Sequence, residues 1–72
     1  MQKLTRRQKE LMEYASKGLS NKEIAEKMDV TPYCIKLQIH NILTKFNVSN
    51  RTKAILIYLR DYKGIDFGDF LF

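Results

Sequence analysis

The chain has 72 residues, a formal net charge of +5 at pH 7 and a single cysteine. This length allows one small domain with one core, and it excludes barrels, doubly wound sheets and two-domain enzymes. One cysteine cannot close an internal disulfide, and the longest apolar run, 54–59, is too short to cross a membrane. We therefore expect a cytoplasmic protein that has no membrane partner.

Acidic and basic residues are unevenly distributed along the chain. The segment 30–60 contains no aspartate or glutamate. A polyanion can lie along such a segment without meeting like charge, which favours a nucleic-acid partner. The alternative is a solvated face that is basic without any binding role. The cations of this segment are Lys36, Lys45, Arg51, Lys53 and Arg60.

Two capping boxes mark the starts of the first two helices. Thr5–Gln8 predicts a helix over about residues 6–17, which Gly18 closes because glycine tolerates the left-handed conformation. Ser20–Glu23 predicts a short helix over about residues 21–28. The apolar residues that give these helices an inward face are Leu11, Tyr14, Ala15, Leu19, Ile24, Ala25 and Met28.

Two longer helices follow. Thr31–Pro32 suits an N-cap and a first helical position, and it predicts a third helix over about residues 32–46. Asn50 caps a fourth helix over about residues 51–63, which Gly64 terminates. The third helix carries a seam at helical spacing, formed by Ile35, Ile39, Ile42 and Phe46.

The second and third helices and the short turn between them describe a helix-turn-helix. Ala25 is small enough for a helix crossing, Val30 fills the turn, and Ile35 faces back across the crossing. We therefore predict an all-α four-helix bundle with a central helix-turn-helix in a domain 1–64, followed by an aromatic and acidic tail 65–72. Helix-turn-helix units also bind proteins, so the geometry alone leaves the partner open.

Several segments carry a more specific pattern. They are Leu4-Thr5 with Arg7, the run 18–25, Ile35-Lys36, Asn41-Ile42, Lys45-Phe46, Val48 and the run 50–54. On these residues the stretch 4–54 resembles the LuxR/GerE-type (FixJ- or NarL-type) DNA-binding domain of transcription factors. The resemblance implies a four-helix bundle, a third helix in the major groove of double-stranded DNA, and a dimer contact through the fourth helix.

The resemblance also implies a setting for the protein. Many members of the family carry an upstream receiver or ligand-sensing domain, whereas we expect this chain to be a small stand-alone, GerE-like member of bacterial or phage origin that associates with the nucleoid. Four positions depart from the family pattern. The family usually has threonine at Cys34, histidine at Gln38 and leucine at Phe46, and glutamate is common at Gln8. We expect Gln38 to form a repacked hydrogen bond without loss of the fold.

The face of the third helix opposite the isoleucine seam is the candidate reading surface. An exposed Leu37 suits contact with a thymine methyl group, and Lys36 and His40 suit the acceptors of guanine. The resemblance places the same three positions against bases or phosphates. The alternative is that Leu37 is one of the isolated apolar residues found on any surface. The predicted base contacts are Tyr33, Lys36, Leu37 and His40.

A second set of polar residues is predicted to contact phosphates. Residues 20–21 and 50–52 open helices, where free amide groups and the helix dipole favour anions. Asn50 and Thr52 are also explained by capping alone, and the two interpretations are compatible. The predicted phosphate contacts are Asn21, Lys22, Asn41, Lys45, Asn50, Arg51 and Thr52.

The fourth helix is apolar on two sides. A helical wheel places Ala54, Ile55, Tyr58, Leu59 and Tyr62 towards the core. It places Leu56 and Ile57 on the other side, beside Arg60. Such a helix in a small domain needs a second partner, so we predict a homodimer interface at Leu56, Ile57 and Arg60. The alternative is that the C-terminal aromatic residues fold back over Leu56 and Ile57.

The sequence does not indicate catalysis, a cofactor or a metal. Cys34 and His40 are single residues and cannot build a zinc site, and no nucleophile triad, glycine-rich phosphate loop or carboxylate pair is present. Cys34 is interpreted as a small filler, with a redox switch as the alternative. We therefore expect a sequence-specific, dimeric DNA-binding transcription regulator. The alternatives are a module that docks on RNA polymerase or another regulator through the fourth helix and the tail, and a basic protein that binds nucleic acid non-specifically.

Overall fold

The computed structural model describes residues 3–67, which form four helices. They are α1 (Arg6–Ser16), α2 (Asn21–Met28), α3 (Pro32–Phe46) and α4 (Arg51–Lys63). The all-α prediction with a central helix-turn-helix is confirmed, and α1 ends one residue earlier than expected. Within the tail, 65–67 continues from α4 without helix, and the predictions for Gly68–Phe72 lie outside the described residues.

Every helix begins with a side-chain cap. In α1 the Gln8 backbone N–H donates to Thr5 Oγ1 at 3.1 Å, and the Thr5 N–H donates to Gln8 Oε1 at 3.0 Å. The same reciprocal pair is present in α2. These bonds satisfy amide groups that have no partner within the helix, which is why short polar residues start helices here. The N-cap residues are Thr5, Ser20, Thr31 and Asn50.

The turn of the helix-turn-helix is closed by an aspartate. Asp29 has a φ of 57°, in the left-handed region where glycine is common. Aspartate and asparagine visit this region more readily than other non-glycine residues. The Val30 N–H then donates to the Ala25 carbonyl oxygen at 3.0 Å, so the turn is closed with aspartate at this position.

One hydrophobic core lies between the four helices. α2 and α4 both pack on α3, and α1 contacts the other three helices. The seam of α3 is buried as predicted at Ile35, Ile42 and Phe46, and Ile39 packs partly against it. Leu4 and Met12 are also buried, although neither was predicted to lie in the core. This arrangement holds α3 by one face and leaves its opposite face to solvent.

Candidate nucleic-acid interface

The outward face of α3 carries the predicted base-contacting residues. Tyr33 and Leu37 are 65% and 45% exposed, and Lys36 and His40 are exposed as well. The α3 sequence contains no carboxylate, so a polyanion that approaches this face meets no like charge on the helix. We call the exposed surface of Tyr33, Lys36, Leu37 and His40 the reading face.

The reading face combines three kinds of chemical group. Lys36 supplies an ammonium donor, His40 supplies a ring that donates or accepts, and Leu37 supplies an aliphatic surface. The hydroxyl of Thr44, one turn further along α3, already donates a hydrogen bond to the His40 carbonyl oxygen at 3.1 Å. A helix face with these groups can hydrogen-bond base edges and contact a methyl group.

Arg51 joins the starts of α2 and α4. Its Nη2 donates to the Leu19 carbonyl oxygen at 3.0 Å, and its Nη1 donates to Asn21 Oδ1. Arg51 is half-buried, and this burial lowers the pKa of its guanidinium below the usual value. The contact brings two groups of predicted phosphate ligands, 21–22 and 50–52, to one side of the domain. It also gives Arg51 and Asn21 a structural role that the sequence did not indicate.

The Lys45 side chain lies on the side of α3 that contacts the start of α1. Its Nζ donates to Gln8 Oε1 at 2.7 Å and to the Lys3 carbonyl oxygen at 3.2 Å. The ammonium is therefore tied to the start of α1. Among the other predicted phosphate ligands, Asn50 accepts a capping bond from the Lys53 N–H at 2.9 Å. Those whose side chains are exposed are Lys22, Asn41, Asn50 and Thr52.

Gln38 is hydrogen-bonded, as expected. Its Oε1 accepts from Gln8 Nε2 at 3.3 Å, so the two glutamines that depart from the family pattern contact each other. Gln8 was predicted as a capping-box residue and as a departure from the family pattern, but its contacts with α3 were not predicted. The one sequence feature that agrees with these contacts is the spacing of Gln38 and Lys45. They are seven residues apart, about two helical turns, and so lie on the same side of α3.

The predicted outer face of α4 needs one correction. Ile57 is 7% exposed and belongs to the hydrophobic core, together with Ala54 and Tyr58. The placement of Ile57 beside Leu56 on the outer side was therefore wrong. Leu56 is half-buried outside the core cluster, and Arg60 forms an ion pair with Asp61 at 2.8 Å. Leu56 and Arg60 are what remains of the predicted dimer surface.

Cys34 is exposed at the start of α3. The Thr31 hydroxyl donates to its Sγ at 3.2 Å, and the Cys34 N–H donates to the same hydroxyl oxygen. Residues 3–67 contain no group of three or more metal-binding side chains that could hold an ion. In that same part of the chain, no helix is long and apolar enough to cross a membrane.

A helix-turn-helix whose second helix presents basic and hydrogen-bonding groups outward defines a class. Many DNA-binding domains belong to this class, and in them the second helix lies in the major groove. Residues 2–58 match the model of the GerE family, described as bacterial regulatory proteins of the luxR family. The chain belongs to this family, as the motif resemblance indicated. It is a domain of the kind found in DNA-binding transcription regulators and is not a catalytic domain.

Three relatives illustrate the similarity. The glycerol metabolism activator of Pseudomonas putida is 45% identical over 78% of this chain and 25% of its own length. The nitrate/nitrite response regulator protein NarP of Escherichia coli is 35% identical over 79% of this chain and 26% of its own. The transcriptional regulatory protein LiaR of Bacillus subtilis is 39% identical over 82% of this chain and 28% of its own length. The chain thus spans about a quarter of the length of these relatives.

Proposed function

We propose that this chain binds double-stranded DNA sequence-specifically and thereby regulates transcription. The observation that carries the proposal is the reading face of α3, which is exposed, without carboxylates, and opposite the seam that fixes α3 to the core. Such a helix has the dimensions to enter the major groove. The glycerol metabolism activator and NarP, both regulators by name, are consistent with this role.

The residues of the reading face have different roles in this proposal. In this proposal Lys36 and His40 donate to guanine O6 and N7, and Leu37 contacts a thymine methyl group. Tyr33, at the start of the same face, adds an aromatic contact with a phenolic hydroxyl. Docking of this kind uses three or four side chains, which matches the size of the face.

Phosphate contacts flank the reading face in this proposal. Lys22 and Thr52 are exposed near the Arg51 contact, and Asn41 is exposed on α3 itself. Arg51 keeps N–H donors beyond the two that it uses internally, so it can brace α2 against α4 and also bind a phosphate. Such contacts fix the position of the domain on the duplex and carry little sequence information. The remaining proposed phosphate ligands are Asn21, Lys45 and Asn50.

We also propose that the chain acts as a homodimer through the outer face of α4. The proposed surface is Leu56 with Arg60, and it no longer includes Ile57, which is buried in the monomer. A two-fold dimer would place two reading faces about one helical turn of DNA apart, roughly 34–36 Å. If the chain is monomeric both free and on DNA, docking of α4 on RNA polymerase or another regulator becomes the better explanation of Leu56.

A competition experiment tests the proposal. Duplexes are enriched from a random pool with the wild-type chain, and the affinity for an enriched duplex is compared with that for a random duplex. Sequence-specific binding predicts a ratio of about 10³ or more at physiological salt. A basic protein without a reading function would show salt-dependent binding but a ratio near one. As a bacterial regulator the protein would act in the cytoplasm, in association with the nucleoid.

A further inference from the structure

Gln8 is a polar residue that is buried in the core, with 5% of its surface exposed. The oxygen of its side-chain amide, Oε1, accepts two hydrogen bonds, from the Thr5 N–H at 3.0 Å and from Lys45 Nζ at 2.7 Å. Its Nε2 donates to Gln38 Oε1 at 3.3 Å. A single amide in the first turn of α1 is therefore bonded to its own N-cap and to two residues of α3.

The two α3 partners lie on one flank of the helix. Gln38 and Lys45 are seven residues apart, which is close to two helical turns. The reading face lies next to this flank, on the outward side of α3. Two anchors along one line restrict rotation of α3 about its own axis, whereas the apolar core contacts alone permit small adjustments.

A small rotation is sufficient to disturb base recognition. With side chains, a helix has a radius of about 5–6 Å, so a rotation of about 10° moves a side-chain tip by roughly 1 Å. Hydrogen bonds from nitrogen to oxygen have a narrow distance range of about 2.7–3.2 Å, and a contact lengthened by 1 Å is lost. The reading face therefore depends on the rotation that the flank contacts set.

Glutamine is suited to this position because it both accepts and donates. An apolar side chain of similar length would leave the Thr5 N–H and the Lys45 ammonium without this acceptor. At 5% exposure, water cannot freely replace the lost bonds. The Lys45 ammonium would keep only its exposed bond to the Lys3 carbonyl oxygen, and it could exchange that bond for solvent or a bound phosphate.

We infer that Gln8 is a positioning residue for DNA recognition. It sets the rotation of α3 through Gln38 and Lys45 and so controls sequence preference without touching DNA. This inference rests on the proposed function. It predicts a specific signature: loss of the Gln8 acceptor reduces discrimination between sequences, while binding to random DNA is unchanged or becomes tighter because Lys45 is released.

The test compares Gln8→Met with Thr5→Ala. Each substitution removes one of the two hydrogen bonds of the α1 capping box, so the local loss at the helix start is matched. Only Gln8→Met also removes the bonds to Gln38 and Lys45. Affinities for a duplex enriched with the wild-type chain and for a random duplex are measured at a temperature at which circular dichroism shows all variants folded.

The ratio of the two affinities is the deciding quantity. We expect Gln8→Met to lower it by about tenfold or more, the equivalent of one base contact, and Thr5→Ala to leave it within about twofold of wild type. Gln8→Glu keeps both acceptor bonds, and the Gln38 amide can turn to donate to it, so this variant should retain most of the ratio. A purely structural role would lower both affinities together and would affect Thr5→Ala equally.

Each remaining outcome is also decisive. An unchanged ratio for Gln8→Met, or an equal loss for Thr5→Ala, overturns the inference. If Gln8→Met does not fold, Gln38→Met removes one link from the α3 side, and its ratio should fall by about threefold or more; an unchanged ratio overturns the inference. A wild-type chain that enriches no duplex refutes the proposed function, and this inference falls with it.

Discussion

Arg51 offers a substitution that separates folding from DNA binding. The guanidinium bridges the Leu19 carbonyl oxygen and Asn21 Oδ1, which holds the start of α4 against the start of α2. We also propose that it contacts a phosphate. Arg51→Met removes the charge and both bonds, whereas Arg51→Lys keeps the charge but cannot span two acceptors as the planar guanidinium does.

The expected loss of stability follows from the geometry. Hydrogen bonds to charged groups contribute about 1.5–3 kcal/mol each when buried, and exposed ion pairs contribute about 0–1 kcal/mol. Because Arg51 is half-buried, we expect its two bonds together to contribute about 1.5 kcal/mol. In a domain of this size about 1 kcal/mol corresponds to about 4–8 °C in Tm, so Arg51→Met should melt roughly 6–12 °C below wild type. Arg51→Lys can keep one of the two bonds and should melt between Arg51→Met and wild type.

DNA binding should distinguish the two variants. Affinity for a random duplex is measured over a range of salt concentrations, well below the Tm of both. Arg51→Met should reduce the slope of log affinity against log salt by about one per bound subunit, and Arg51→Lys should keep the wild-type slope. Lys53→Met, an exposed cation at the same helix start, is the control for stability and should melt as wild type does. If Arg51→Lys is as stable as wild type, the bridging role of Arg51 is refuted.

Three further predictions follow from the same structure. Lys36→Ala should weaken binding to an enriched duplex by about 1–3 kcal/mol, as measured by titration, and binding to random DNA by less. Leu56→Glu should give a monomer of unchanged helicity in analytical ultracentrifugation, whereas Ile57→Glu should unfold the domain because Ile57 is buried. The bonds from Lys63 and Tyr58 hold the pKa of Glu13 below its usual value, so the stability from Glu13 is complete above its unfolded-state pKa and is lost as pH falls through the lower folded-state pKa. Glu13→Gln should accordingly flatten the dependence of the unfolding free energy on acidic pH, measured by urea denaturation.

The helix boundaries were predictable because their determinants are local. The capping boxes at Thr5 and Ser20 each involve residues three positions apart, and the positive φ values at Gly18 and Gly64 follow from the residue type. The reading face was predictable for a similar reason, since α3 has one continuous apolar seam that fixes which side faces the core.

The remaining features depend on contacts between distant residues. Arg51 bonds to residues about thirty positions earlier, and Lys45 bonds to Gln8 across α1 and α3. A list of charged residues cannot reveal such partners. Ile57 was misplaced because α4 is apolar around most of its circumference, so periodicity does not select the buried side; packing on α1 and α3 does.

The central claim is that the reading face of α3 determines which DNA sequence is bound. The most direct measurement is selection from a pool of random duplexes, carried out in parallel with wild type and with Lys36→Ala, Leu37→Ala and His40→Ala. The account predicts that wild type enriches a defined sequence and that each variant loses preference at a discrete base position within it. Enrichment of no sequence by wild type, or of the same sequence with the same base preferences by all variants, would contradict the account.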